Sequence, residues 1–165
     1  MTARTVFIIA VLSCAHYAHA CLQAPASYWL WAGQGYSSRL DGQTIYLHQG
    51  LLRRDGNNLK LIKQGLSPFK TSSACLIIVF RAHSDAWDEA IVQKMLFIVE
   101  QWQGSGNQVG GVQIDYDAAT AKLPQYAERL RVLRRLLPRR YPLSVTGLGD
   151  WVLSGAPTEV QQTVD

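Results

Sequence analysis

The chain has 165 residues, of which 48% are hydrophobic and 17% charged, with a formal net charge of +4. This is the composition of an ordinary globular protein, and the sequence contains no internal repeat or low-complexity tract. Three cysteines are too few for a small fold held together mainly by disulfides.

The first residues predict an export signal. Arg4 supplies a positive charge, residues 5–15 are almost wholly apolar but too short to span a bilayer, and Ala18-His19-Ala20 has the small-x-small pattern that signal peptidase reads. We therefore expect residues 1–20 to be a signal peptide and residues 21–165 to form the mature domain. The protein would then be exported, either to a periplasm or out of the cell.

A second processing site stays open. Val11-Leu12-Ser13-Cys14 resembles a bacterial lipobox, in which Cys14 would carry a lipid and tether the protein to a membrane. Cys21 follows a poorer lipobox, because Ala18 stands where a larger aliphatic residue is usual. Cys75 lies in an apolar run, where a small buried side chain is favoured over a Cys21–Cys75 bridge, although an oxidising compartment would permit the bridge.

The first half of the mature chain predicts mainly strands. Residues 27–32 are aromatic and β-favouring, and residues 44–52 and 59–63 flank an Asp-Gly-Asn turn signal, which is typical of a β-hairpin. Residues 74–81 are almost continuously apolar, as in strands of parallel sheets that are buried on both faces. We expect a hairpin inserted near the start of the domain.

The second half alternates helices and strands. Asp85 is a candidate N-cap for a helix that ends at Gly104, and residues 109–117 form the next strand. A helix over residues 123–137 is stopped by Pro138, and residues 143–148 form the last strand. No helix is expected after this strand.

This order of elements predicts an α/β fold with a parallel sheet. A complete eight-stranded (β/α) barrel needs about 250 residues, which this chain does not have. We therefore expect a partial (β/α) TIM-barrel-like domain, incomplete in the manner of a truncated barrel.

The main candidate functional residues lie on one strand, Gln113-Ile114-Asp115-Tyr116-Asp117. Side chains alternate along a strand, so Gln113, Asp115 and Asp117 share one face and lie near the carboxyl end, where α/β proteins gather functional groups. Carboxylates two residues apart lie about 6.5–7 Å apart at Cα and can divide into an acid and a base or stabiliser. Arg81 and His83 are candidate partners. The alternative is a pair of aspartates that caps the following loop.

The sequence resembles the bacterial domain-of-unknown-function family 3142. The resemblance rests on Gly110-Gly111-Val112-Gln113-Ile114-Asp115-Tyr116-Asp117, on Tyr126-Ala127 with Leu130-Arg131 and Leu133-Arg134, and on Leu143-Ser144-Val145-Thr146-Gly147-Leu148 with Trp151. Members are exported or lipid-anchored, resemble TIM-barrel glycoside hydrolases and are usually longer than this chain. No established reaction comes with the family.

The acidic strand also resembles, more distantly, that of chitinase-type glycoside hydrolases. Their inward positions carry Asp, Asp and a proton-donating Glu, where this chain has Gln113, Asp115 and Asp117. The resemblance implies Asp117 as a general acid and Asp115 as the residue that positions it or stabilises the transition state. Gln113 and Arg81 would orient the ligand.

Aromatic side chains at strand ends suggest how a sugar would be held. Trp31 and Trp151 are candidate stacking surfaces, with core or rim packing as the alternative for each. The leading hypothesis is therefore a glycoside-hydrolase-like protein that hydrolyses or binds a cell-envelope or extracellular polysaccharide. A non-catalytic glycan-binding or envelope-assembly protein on a degenerate barrel is the second.

Other classes of function are less favoured. A metal-dependent phosphatase-like enzyme would use the D-x-D strand, but the cysteines and histidines lack metal-ligand spacing, and we expect no metal or cofactor. The arginines at 129, 131, 134, 135, 139 and 140 lack interleaved aromatic residues, which favours a solvated helix face over nucleic-acid binding. Contact with a membrane is expected only through a lipid anchor, and the oligomeric state stays open.

Overall fold

The computed structural model of the chain describes residues 21, 24–56, 58–84, 86–153 and 158–165. The expected signal peptide, the Cys14 lipobox and the candidate helix cap Asp85 lie outside these residues.

A six-stranded, mostly parallel sheet forms the centre of the described residues. The strands are β1 (Ser27–Leu30), β2 (Thr44–Asp55), β3 (Asn58–Lys63), β4 (Cys75–Ala82), β5 (Val109–Asp115) and β6 (Leu143–Val145). The order β1-β2-β4-β5-β6 is parallel throughout, and β3 pairs antiparallel with β2. The predicted α/β class with a parallel sheet is thus confirmed.

The predicted hairpin is the antiparallel part of the sheet. Strand β1 pairs with β2 from Thr44 to Leu47, and β3 pairs with β2 from Gly50 to Asp55. Both lie on the edge of β2 away from β4. Gly56, with φ of 59°, makes the tight turn that residues with a Cβ rarely adopt. Strand β3 therefore pairs with the part of the β2 edge that lies beyond the end of the short β1.

Helices cover one face of the sheet. They are α1 (Glu89–Gly104), α2 (Leu123–Leu136), α3 (Gly149–Leu153) and α4 (Thr158–Gln161). Ile78 and Phe80 of β4 and Ile114 of β5 are fully buried in one core with apolar side chains of α1 and α2. Because side chains alternate along a strand, the neighbouring residues of β4 and β5 point to the opposite face.

The helix boundaries follow local signals. Asp88 caps α1, because its side chain accepts a hydrogen bond from the backbone N–H of Ile91 at 2.8 Å. Pro124 lies in the first turn of α2, where a missing N–H is tolerated, and Pro138 follows its end.

The carboxyl-terminal segment differs from the prediction. Strand β6 ends at Val145 rather than Leu148, and α3 and α4 follow it, so the expectation of no helix after the last strand is wrong. These helices are short and have no long apolar period, which is why the sequence pattern does not reveal them. Asp165 lies along β6, where its backbone N–H donates to the carbonyl of Leu143 at 2.9 Å.

A disulfide joins Cys21 to Cys75 at the start of β4, with the two Cα atoms 5.1 Å apart. The preference for an unbridged Cys75 is therefore wrong, although the residue is fully buried as expected. Thr44 helps to hold the segment in place by donating to the carbonyl of Cys21 at 3.1 Å. A bridged Cys21 has no free thiol to carry a lipid.

Glycine makes room for the bridge. A Cβ on Gly110 of the neighbouring strand would overlap the Sγ atoms of both Cys21 and Cys75. The absence of a side chain at Gly110 is therefore explained by packing against the bridge on the neighbouring strand.

Candidate functional site

An ion-paired cluster lies at the carboxyl ends of the central strands. Register places Arg81 of β4 beside Asp115 of β5, and their Nη1 and Oδ1 atoms are 2.8 Å apart. The other guanidinium nitrogen of Arg81 pairs with Asp117, just beyond β5. Thr146, following β6, donates its hydroxyl to the same Asp115 oxygen at 2.8 Å.

The two carboxylates differ in exposure. The side chain of Asp115 is 7% exposed and that of Asp117 is 52% exposed. The hydrogen bond to Asp117 and then that to Asp115 raise the pKa of Arg81, against the opposing effect of burial. The guanidinium thus stays charged, and the cluster carries one positive and two negative charges.

Arg81 takes the partner role predicted for it, whereas His83 does not join the cluster. His83 is exposed, and its backbone N–H donates to the carbonyl of Leu52. The signal for Arg81 was its position at the end of an apolar strand, and the register of β4 with β5 sets it level with Asp115.

A second set of polar groups lies one row further into the sheet. The strand register sets four residues side by side in one row, one from each of β2, β4, β5 and β6: His48, Val79, Gln113 and Ser144. Because side chains alternate along a strand, this row shares the face of Arg81 and Asp115. We call this the polar face, defined by His48, Arg81, Gln113 and Asp115. His48 is only 4% exposed and Gln113 only 8%.

Polar atoms of these two side chains are buried without hydrogen-bond partners. Within the described residues, neither ring nitrogen of His48 nor the Oε1 atom of Gln113 has one. The backbone of Gly50 approaches the imidazole closely enough to raise its pKa, but without the geometry of a hydrogen bond. Burial has the largest effect on His48 and lowers its pKa, opposed by the Asp115 charge and assisted by that of Arg81. The neutral imidazole is therefore favoured.

The register between β2 and β4 is regular from Thr44 to His48, and a β-bulge shifts it only between His48 and Gly50. Alternation along β2 therefore places His48 on the polar face and Gln49 on the face covered by α1. There Gln49 accepts a hydrogen bond from the indole nitrogen of Trp102 at 2.7 Å. Gln49 is thus a core amide with a hydrogen-bond partner, whereas the imidazole of its neighbour His48 lies on the polar face.

Aromatic rings extend the polar face toward β1. The Trp29 ring stacks on Trp31 at 5.1 Å and on Tyr46 at 5.4 Å, and the Trp31 ring lies 5.5 Å from His48. Trp31 is 43% exposed. Trp31 was singled out from the sequence, whereas Trp29, Tyr46 and His48 were not. The spacing of Trp29 and Trp31, two apart on a strand, was the available signal.

Trp151 lies elsewhere. It is 3% exposed, its indole nitrogen donates to the carbonyl of Ala118 at 2.9 Å, and its ring packs near Tyr126. Its position corresponds to the alternative of core packing, and we leave it out of the candidate site. Trp151 is buried because it belongs to α3, which packs its ring against the loop after β5.

The remaining groups considered from the sequence form structural contacts. Arg131, Arg134 and Arg140 form ion pairs with Glu128, Asp165 and Glu100 respectively. Over the described ranges, no three side chains among His, Cys, Asp and Glu are grouped to hold a metal ion.

Helices capable of crossing a bilayer are absent from the part of the chain that the structure describes.

Fold and site together define an α/β protein with an ion-paired acidic cluster at the carboxyl ends of adjacent parallel strands. The chain belongs to the family described as "Domain of unknown function (DUF3142)", whose model matches residues 76–165. No curated protein and no solved structure matches it. The matched residues include Arg81, Gln113, Asp115 and Asp117, whereas His48 and the aromatic rings of β1 and β2 precede them.

Proposed function

We propose that this is an exported, glycoside-hydrolase-like protein that binds a cell-envelope or extracellular polysaccharide on its polar face. The observation that carries the proposal is the run of aromatic rings from Trp29 and Trp31 to His48, which leads to the Arg81–Asp115–Asp117 cluster. Aromatic rings offer flat apolar surface to the C–H faces of sugars, and carboxylates accept hydrogen bonds from sugar hydroxyls.

The arrangement of strands fits a partial (β/α) barrel. Strands β1, β2, β4, β5 and β6 neighbour one another in chain order and run parallel, as successive strands of such a barrel do. Helices α1 and α2 lie on one face of the sheet. The ion-paired cluster lies at the carboxyl ends of the strands, which is where barrel enzymes have their functional groups.

Two features support export. Residues 1–20 have the three parts of a signal peptide in order. The Cys21–Cys75 disulfide fits an oxidising compartment, since thiols are kept reduced in the cytoplasm.

Binding is favoured over hydrolysis by the ion pairs. Both carboxylates contact the same guanidinium, so each acts as a hydrogen-bond acceptor rather than as a proton donor in this arrangement. An acceptor array of this kind suits the recognition of hydroxyl groups.

Replacing Trp31 with alanine tests the proposal. We expect at least a tenfold loss of affinity for a soluble polysaccharide that the wild type binds, because the exposed Trp31 ring is removed from the run of aromatic rings on the polar face. Isothermal titration calorimetry against a panel of neutral and acidic polysaccharides gives the affinities.

Tyr28→Ala is the matched control. Tyr28 lies on β1, three residues before Trp31, and is 45% exposed, but it points to the other face, so its loss should leave binding unchanged. Equal effects of the two substitutions, or a wild type that binds none of the panel, would contradict the proposal.

Hydrolysis is the second candidate, favoured by the exposure of Asp117 beside the buried Asp115. Asp117 would act as general acid after its release from Arg81, and Asp115 would stabilise the transition state. Asp117→Asn should then lower the release of reducing ends from a bound polysaccharide at least 100-fold.

Asp150→Asn serves as control for this measurement, because Asp150 is an exposed carboxylate on α3 outside the cluster. Activity that persists in Asp117→Asn would rule out Asp117 as the acid.

A further inference from the structure

We infer that His48 and Gln113 form a buried pair of hydroxyl-binding side chains that makes the polar face selective for uncharged sugar units. This inference rests on the proposed function and specifies the class of ligand. It assigns the two side chains as determinants of specificity, separate from the carboxylates.

The pair flanks a small apolar floor. His48 and Gln113 lie on either side of Val79 in one row across the sheet, two strand spacings or about 10 Å apart. Val79 itself is fully buried. Because Val79 is covered, a sugar reaches this row only when the covering side chains move, and it then meets a polar group on each side, at a distance that suits a sugar ring with its hydroxyls.

Unused hydrogen-bonding capacity points to a ligand. A purely structural pair at these positions would be expected to find partners, since buried polar atoms in proteins are nearly all hydrogen-bonded. Within the described residues, both ring nitrogens of His48 and the Oε1 atom of Gln113 lack them. Such exceptions are costly to stability, so a ligand that supplied the missing hydrogen bonds would recover that cost.

The available donors and acceptors match neutral hydroxyl groups. A neutral imidazole offers one donor and one acceptor, and Oε1 of Gln113 is an acceptor. A hydroxyl both donates and accepts, so it satisfies either side chain. A carboxylate or phosphate oxygen only accepts, so it could use the imidazole N–H but would leave the acceptor nitrogen of His48 and the Oε1 of Gln113 without a donor.

The charge of the neighbouring cluster strengthens the selection. Arg81 is already paired with Asp115 and Asp117, which leaves one net negative charge next to the floor. An acidic polysaccharide would be repelled by this charge, and it would find no unpaired cation in the cluster.

Trp31 lies beside His48 of the pair. Its ring lies 5.5 Å from that of His48 and is 43% exposed, and the residue follows the end of β1. A sugar stacked on this exposed ring would lie next to the imidazole.

The experiment compares His48→Leu, Gln113→Leu and Gln101→Met with the wild type in the full protein. Gln101 is the matched control, because its Oε1 is also buried without a partner in the described residues, but it lies on α1. The probes are laminarin, a neutral glucan, and polygalacturonate, an acidic one. Calorimetry measures affinity, and thermal unfolding without ligand measures stability.

We expect the wild type to bind laminarin at least tenfold more tightly than polygalacturonate. His48→Leu and Gln113→Leu should each weaken laminarin binding about tenfold, while their Tm stays the same or rises because an unpaired buried polar group is removed. Gln101→Met should leave binding unchanged.

Three outcomes would overturn the inference. Tighter binding of polygalacturonate would refute the selectivity. Unchanged laminarin affinity in both leucine variants would refute the role of the pair while leaving the proposed function intact. Absence of binding to either probe, and to the wider polysaccharide panel, would remove the proposed function and this inference with it.

Discussion

Replacing Cys75 with alanine should lower the free energy of unfolding by about 4 kcal/mol. The bridge to Cys21 closes a loop with a sequence separation of 54 residues, and the loss of loop-closure entropy in the unfolded chain predicts a stabilisation of this size. Chemical denaturation of the wild type and the variant, both oxidised, measures the difference.

Reduction provides the control for this prediction. Dithiothreitol should lower the stability of the wild type by a similar amount and leave Cys75→Ala unchanged. The Cys21→Ala variant should match Cys75→Ala within about 1 kcal/mol, because both remove the same bridge, although the two alanines differ in burial. A loss below about 1 kcal/mol in Cys75→Ala would mean that the bridge does not form in the native protein.

Replacing Arg81 with methionine should lower the free energy of unfolding by about 3 kcal/mol. The substitution leaves the buried carboxylate of Asp115 with only the Thr146 hydroxyl, and an uncompensated buried charge costs about 3–5 kcal/mol. The partial exposure of Arg81 places our figure at the lower end of this range.

Two further variants make this result specific. Arg131→Met breaks an exposed ion pair with Glu128 and should cost less than about 1 kcal/mol. Adding Asp115→Asn to Arg81→Met should restore part of the lost stability, because the unpaired charge is then absent. Equal losses for Arg81→Met and Arg131→Met would show that the cluster contributes no more than a surface pair.

Much of the fold follows from local pattern. The apolar run of β4 and the helical period of α1 predicted a parallel α/β sheet, and the Asp-Gly turn predicted the β2–β3 hairpin. These features depend on neighbours in sequence, which is why they are readable from it. The short helices α3 and α4 have no such period and were missed.

Part of the candidate site was likewise predictable from the sequence, and part was not. The shared face of Gln113, Asp115 and Asp117 follows from alternation along one strand, and the end of the preceding strand suggested Arg81. The place of His48 beside Val79 depended on the register between β2 and β4, and the burial of Trp151 depended on the helix after β6. Strand register and helix docking are long-range effects, so residue spacing does not reveal them.

The sequence by itself determined the α/β class, the family resemblance and the acidic strand, because alternation and helical period are local properties of the chain. Only the tertiary structure decided that Cys21 reaches Cys75, that Arg81 joins both carboxylates, and that His48 and Gln113 lie in one row on either side of Val79. Each of these contacts joins residues more than 30 positions apart in the chain, and the pairing of strands brings them together.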